Sequence, residues 1–284
     1  MIKQLFGFTG AIALSLGVAQ TVQAGTFHNG WNYSLDAQGD GSGGSVYDIK
    51  GLAFQETEQH VYFSISGNTP LTGESYGGAA DGNVGWGDLM LNFSGNSFQA
   101  AEQNGDLLGI RFAETNDSGV SQLGLYGGIV TASVAGDNAG YTTLNHYYSA
   151  SNGKFNVANT MGDISTDEEV YEYFSGDPNG SNIKTQNVIA SGNYLGAIEL
   201  ISDQDAADAG LDFSHFNATG DEQITFRLDR SLLPTASFIA SVFLECANDG
   251  IALHGETTDV PEPSILGGLV LLGMVAGGRK LRAA

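Results

Sequence analysis

The sequence predicts an all-β protein whose body is an antiparallel β-sandwich with jelly-roll-like connectivity. Three observations predict it. Short segments alternate apolar and polar residues with period two, clusters of Gly, Asn, Asp and Ser separate them, and helical periodicity is scarce. Successive side chains of a strand point to opposite faces, so such alternation marks a strand with one buried side.

The strands follow in order. Val61, Phe63 and Ile65 alternate with Tyr62, Ser64 and Ser66. Leu89, Leu91 and Phe93 alternate with Asp88, Met90 and Asn92, and Leu108, Ile110 and Phe112 with Leu107, Gly109 and Arg111. Ile224, Phe226 and Leu228 alternate with Thr225, Arg227 and Asp229. Further strands are expected near Leu123–Val134, Val170–Phe174 and Val188–Ile201, and from Ser237 to Cys246, where the lone cysteine reads as a small buried apolar thiol. Turns are expected at Asp40-Gly41-Ser42-Gly43-Gly44, Asp81-Gly82-Asn83 and Asp177-Pro178-Asn179-Gly180. Asp203–Leu211 reads as one short helix capped by Ser202. No fixed repeat supports a β-helix.

The ends of the chain divide it into residues 1–24, an export signal; 25–254, the sandwich; 255–259, a linker; and 260–284, a sorting tail. At the N-terminus, Lys3 precedes an apolar stretch from Leu5 to Val18. Val22-Gln23-Ala24 then offers small residues where a signal peptidase reads, which places cleavage between Ala24 and Gly25. At the C-terminus, Val260-Pro261-Glu262-Pro263 precedes an uncharged apolar segment from Ile265 to Gly278 and the basic residues Arg279, Lys280 and Arg282. A full membrane span takes about 20 residues, so this glycine-containing segment suits a temporary transmembrane hold. The basic cluster is expected to stay on the cytoplasmic side, with the body outside.

This ordered triplet resembles the PEP-CTERM sorting signal of Gram-negative bacteria: Pro261, Glu262 and Pro263 match the signature, Ile265 to Gly278 the transmembrane segment, and Arg279, Lys280 and Arg282 the basic end. The resemblance implies processing by the membrane enzyme exosortase. Within the body, Gly43–Phe54, Gly85–Leu89 and Leu244–Asp249 resemble a group of exosortase-dependent surface proteins, a likeness that implies no catalytic residue.

The body with its linker, residues 25–259, keeps 6 of the chain's 10 basic residues and 31 of its 32 acidic ones, a charge of −25. That excludes nucleic acid as a partner, because phosphate binding needs clustered Lys and Arg. It also opposes adhesion to anionic lipid and favours a cation-rich neighbourhood. No cofactor is expected, with calcium as the alternative: hard cations take carboxylate and carbonyl oxygens, and the same residues equally make ordinary turns. The candidate ligands are Asp36 with Asp40, Asp81 with Asp88, and Asp203 with Asp205 and Asp208. Trp31, Tyr33 and Trp86 lie among glycines and polar residues and are candidates for stacking on a sugar, for instance an extracellular polysaccharide. Gly73-Glu74-Ser75-Tyr76-Gly77 fits the G-x-S-x-G elbow of serine hydrolases, but its flanks read as loop rather than strand and helix. The five histidines form no zinc-binding spacing. The expectation is therefore an exported surface or matrix protein with a structural, display role and no catalysis, handled by signal peptidase and exosortase. A carbohydrate- or calcium-binding module is the second reading and a secreted serine hydrolase the third.

Overall fold

Antiparallel pairing organises the chain from its first described residues. The computed structural model describes residues 26–41, 44–154 and 157–259. Four strands open it as a meander: β1 (Thr26–His28), β2 (Trp31–Leu35), β3 (Ile49–Glu56) and β4 (His60–Gly67). Asn29 and Gly30 turn β1 into β2 with φ of 49° and 84°, the left-handed pair that a two-residue hairpin demands. A short hairpin of β5 (Glu74–Ser75) and β6 (Asn83–Val84) follows. The chain then forms β7 (Leu89–Asn92), helix α1 (Phe98–Asn104), β8 (Leu107–Arg111), β9 (Gly124–Ala132), helices α2 (Leu144–Lys154) and α3 (Asp167–Ser175), and β10 (Val188–Gly196). It ends with β11 (Glu199–Ile201), helix α4 (Asp203–Asp208), β12 (Glu222–Asp229), β13 (Ser237–Phe243) and β14 (Gly250–Glu256).

Two six-stranded antiparallel sheets result, ordered β1-β2-β3-β4-β12-β11 and β10-β9-β8-β7-β13-β14. Each is a four-strand meander extended by a later strand pair, β11–β12 or β13–β14. This replaces the expected jelly-roll connectivity, in which a chain builds two Greek keys across its sheets. Here consecutive strands mostly stay in one sheet, because short turns such as Asn29-Gly30 return the chain directly beside the strand it has just left.

The alternating residues face between the sheets. Val61, Phe63 and Ile65 are fully buried and pair with Leu228, Phe226 and Ile224 across β4 and β12. From the other sheet Phe238 reaches Phe54 and Phe63, with ring centroids 5.0 and 6.2 Å apart, and Phe112 stacks on Phe226 at 5.3 Å. The second sheet is buried on its other face too. Met90, Leu107, Ile129 and Phe243 pack there under Phe98, Tyr147, Val170 and Phe174 from the helices. That is why β7 buries Leu89, Met90 and Leu91 in succession instead of alternately. On the outer face of the first sheet, Trp31, Tyr33 and Ala53 lie under Ala206, Leu211 and Phe213.

Three expectations are corrected. Val170–Phe174 lies inside helix α3, not a strand. Thr166 and Glu169 form a reciprocal capping box and Gly176 ends the helix at φ 80°, so local capping overrides the apolar run. Residues 255–259 are not a free linker, because β14 runs to Glu256 and Thr257 is buried. Thr257 Oγ1 donates to the Pro234 carbonyl at 2.6 Å, and Arg230, paired with Glu56, donates to the Thr258 carbonyl at 2.7 Å. The strand expected from Ser237 to Cys246 stops at Phe243, and Leu244 continues only as an isolated bridge to Trp86. Cys246 is buried as expected, and burial pushes its thiol up to about 12. α4 starts at Asp203 with the Ser202 side chain capping it as read from sequence, and it ends at Asp208, short of the expected Leu211.

Among the described residues no helix is long and apolar enough to cross a membrane. The export signal with Ala24 and Gly25, and the tail with Val260, Pro261, Glu262, Pro263, Arg279, Lys280 and Arg282, lie outside the described residues.

Phe63 contacts both sheets, so its loss leaves a cavity at their interface. Phe63→Ala is expected to lower stability by about 3–5 kcal/mol in urea unfolding.

Candidate metal centre

Three stretches of chain meet at one end of the sandwich. The loop after β2 carries Asp36 and Asp40 and leads to Asp48, directly before β3. The turn between β13 and β14 carries Asp249. The segment between α2 and α3 brings Asn159, Thr160 and Gly162 alongside both. Two glycines permit this closeness. At Gly41, with φ 48°, a Cβ would sit 2.1 Å from the Asn248 carbonyl oxygen, and at Gly162, with φ 59°, one would sit 2.0 Å from Ser34 Oγ.

Asp36, Asp40 and Asp249 each present a carboxylate oxygen within 4.8 Å of the other two. Their exposures are 9%, 0% and 0%. Asp36 and Asp40 are each anchored through one oxygen and Asp249 through both. Thr160 Oγ1 donates to Asp36 Oδ1 at 2.7 Å and the Thr160 amide to Asp40 Oδ2 at 2.9 Å. The Ile49 amide donates to Asp249 Oδ2 at 2.7 Å, and the Gly250 amide to Asp249 Oδ1 at 2.8 Å. The buried Tyr147 hydroxyl stands between the Thr160 carbonyl at 3.0 Å and Asp249 Oδ1 at 3.4 Å. What remains is the decisive feature: Asp36 Oδ2 and Asp40 Oδ1 are buried without a hydrogen-bond partner.

No described basic side chain forms an ion pair with these aspartates; the three ion pairs seen lie elsewhere. Two unit charges 4.8 Å apart repel by about 3–4 kcal/mol at an effective dielectric of about 20. The carboxyls respond as expected. Burial, and then the Asp40 charge, drives Asp36 well above the usual carboxylate range. Burial followed by the charges of Asp36 and Asp40 does the same to Asp249. Burial takes Asp40 up to about 7, with Asp48 adding to the rise, and burial also raises Asp48.

A cation placed among the three oxygens removes both the repulsion and the unmet acceptors. The donor set is oxygen alone, which suits calcium. Magnesium dehydrates reluctantly and keeps several waters, a poor match to so dry a space. Asp36, Asp40 and Asp249 are the residues that would hold the ion.

The sequence candidates separate accordingly. Asp36 and Asp40 enter the cluster. Asp249, their third partner, comes from a turn 200 residues beyond Ile49, where the only local signal is Asn248-Asp249-Gly250. Asp81 and Asp88 do not make a second site. Asp81 is exposed and accepts the Asn83 amide within its own turn at 2.9 Å. Asp88 is fully buried but satisfied: Asn116 Nδ2 donates to it at 2.8 Å, and Ser118 Oγ and the Ile189 amide each at 2.7 Å. Its carboxyl is pushed up to about 6 by burial, as a structural tie between loop and strand. Trp31, Tyr33 and Trp86 are 0% exposed, so they present no face to a sugar. Their polar atoms are used internally. The two indoles donate to the carbonyls of Ala209 and Thr69, and the Tyr33 hydroxyl accepts the Asp212 amide. Ser75 is exposed on the two-residue strand β5 and is followed by the turn into β6, not by a helix, so the context of a nucleophile elbow is missing.

Comparison with protein-family models, curated proteins and solved structures found no match.

The raised Asp40 carboxyl has a definite consequence for the metal-free protein. A folded-state value near 7 lies above the unfolded value of 3.8, so its stabilising contribution is full at low pH and is lost as pH rises toward 7. In chelator, stability should fall between about pH 4 and pH 7. Asp40→Asn should flatten that fall and stabilise the metal-free protein at pH 7.5 by on the order of 2 kcal/mol in urea unfolding, while abolishing any gain from calcium.

Proposed function

We propose that this chain is an exported, non-catalytic surface protein whose β-sandwich is a calcium-binding structural module. The observation that carries the calcium reading is the trio of buried aspartates, which has no basic partner among the described residues and in which Asp36 and Asp40 each keep an oxygen without a partner. Calcium here would be a structural staple. It would join the loop after β2 to the β13–β14 turn, and through Thr160 to the segment following α2. Metal binding to a site that the unfolded chain lacks adds directly to folding free energy. Millimolar affinity is enough outside a cell, where extracellular calcium modules bind at about 0.1–1 mM.

Delivery rests on the sequence. The export signal ending at Ala24, and Val260 to Pro263 with the basic residues Arg279, Lys280 and Arg282, support processing by signal peptidase and exosortase, with the C-terminal segment as a temporary membrane hold. The body's charge of −25 supports a life in a hydrated, cation-rich surface layer or matrix. The sugar-binding reading loses its three aromatic residues to the core, and the hydrolase reading loses the context of Ser75.

Two measurements test this. Calcium at about 100 times its dissociation constant should stabilise the body by about 2.7 kcal/mol, which raises Tm by about 5–10 °C over chelator; an unchanged Tm overturns the calcium module. In a producing cell, the double change Pro261→Ala with Glu262→Ala should leave the tail unprocessed and stop surface delivery. Normal processing of that variant would remove exosortase from the account.

A further inference from the structure

A second cluster lies on the outer face of the first sheet. His28 ends β1, Asp212 caps a 3-10 turn, Phe213–Phe216, and His215 belongs to that turn. Each offers one ligand atom within 4.8 Å of the others. The two imidazoles stack with centroids 3.8 Å apart and planes 7° from parallel, and Phe216 packs edge-on against both. Asp212 is held in place before any ion arrives. Its Oδ1 accepts Ser214 Oγ at 2.5 Å and the His215 amide at 3.2 Å, and its own amide donates to the buried Tyr33 hydroxyl at 2.8 Å. These bonds leave Oδ2 facing His28 Nε2 at 3.6 Å. The Ser214 hydroxyl, first among several partners, keeps the Asp212 carboxyl below the usual carboxylate range, so it is anionic at neutral pH.

We propose that His28, Asp212 and His215 form a surface site for a first-row divalent transition metal, with zinc as its representative. Two imidazoles and one carboxylate are the ligand set that such ions select, and they differ in kind from the oxygen-only aspartate cluster. Zinc bonds of about 2.0–2.2 Å require the ligand atoms to draw closer than 4.8 Å, which the partly exposed His28 and exposed His215 achieve by opening their stack into a V. Three protein ligands leave the remaining position to water. The ion would clamp β1, a three-residue edge strand whose Phe27 is 70% exposed, to the turn that covers Trp31 and Tyr33. The site is independent of the calcium module.

The test uses the untagged body, so that no engineered histidine competes, with calcium present in excess to keep the aspartate cluster occupied. Zinc chloride titrated by calorimetry should bind one ion per chain, and affinity should fall at least about tenfold in His28→Ala and in His215→Gln. Copper(II) in place of zinc should give an electron paramagnetic resonance spectrum with two-nitrogen coupling in the wild type and one-nitrogen coupling in either variant. Zinc should also slow amide exchange at residues 26–28. Circular dichroism checks that the variants fold. No zinc binding, zinc binding unchanged in both folded variants, or a copper spectrum without two nitrogens would overturn the site.

Discussion

Asp36, Asp40 and Asp249 carry three carboxylates into a space that water hardly reaches, and the end of the sandwich is arranged around that concentration of charge. Asp36 and Asp40 are each tied through one oxygen to Thr160, and Asp249 through both oxygens to Ile49 and to its neighbour Gly250. The glycines at 41 and 162 exist for the same approach, since a side chain at either would overlap its neighbour. Such a cluster costs more free energy than it returns unless a proton or a cation neutralises it. The three segments belong to both sheets and to the helical layer, so whatever neutralises the charge also joins the layers. Elsewhere the layers meet through the apolar core, where Phe54, Phe63, Phe226 and Phe238 fill the interface without polar demands.

The strands were legible where one face meets apolar side chains and the other polar ones, which writes period two into the sequence; Val61, Phe63 and Ile65 face the core, while the buried Ser64 and Ser66 opposite them are hydrogen-bonded. Legibility failed where a second layer erased that period. The apolar run Val170-Tyr171-Glu172-Tyr173-Phe174 suits strand or helix equally, and the capping pair Thr166 and Glu169 decided for helix. The same signal was available in the sequence as Thr-x-x-Glu and outweighed the β propensity of its aromatic residues. At the candidate site, closely spaced carboxylates in a glycine-containing loop pointed to Asp36 and Asp40. The same reasoning also pointed to Asp81 and Asp88, one of which is a turn residue and the other a buried tie. Composition cannot tell a carboxylate with a free oxygen from one whose oxygens are taken. Asp249 was out of reach altogether, because only the pairing of β13 with β14 returns it to the start of β3.

Trp31, Tyr33 and Trp86 teach a related lesson. Polar and glycine-rich neighbours suggested exposure, yet glycine here admits the ring instead of uncovering it. Gly67 is the instance: a Cβ there would lie 3.1 Å from the Trp86 ring. Acidity works in the opposite direction. A body at −25 repels itself, and the repulsion is greatest where aspartates are buried together. On the proposed function, a calcium-containing exterior would supply the ion that relieves this charge.

Diffraction from crystals of the body grown at neutral pH with calcium, using the anomalous signal of the ion, tests the account most directly. The account predicts one peak among Asp36, Asp40 and Asp249, about 2.3–2.6 Å from an oxygen of each. No peak there, with the carboxylates instead drawn into short oxygen–oxygen contacts by shared protons, would contradict it.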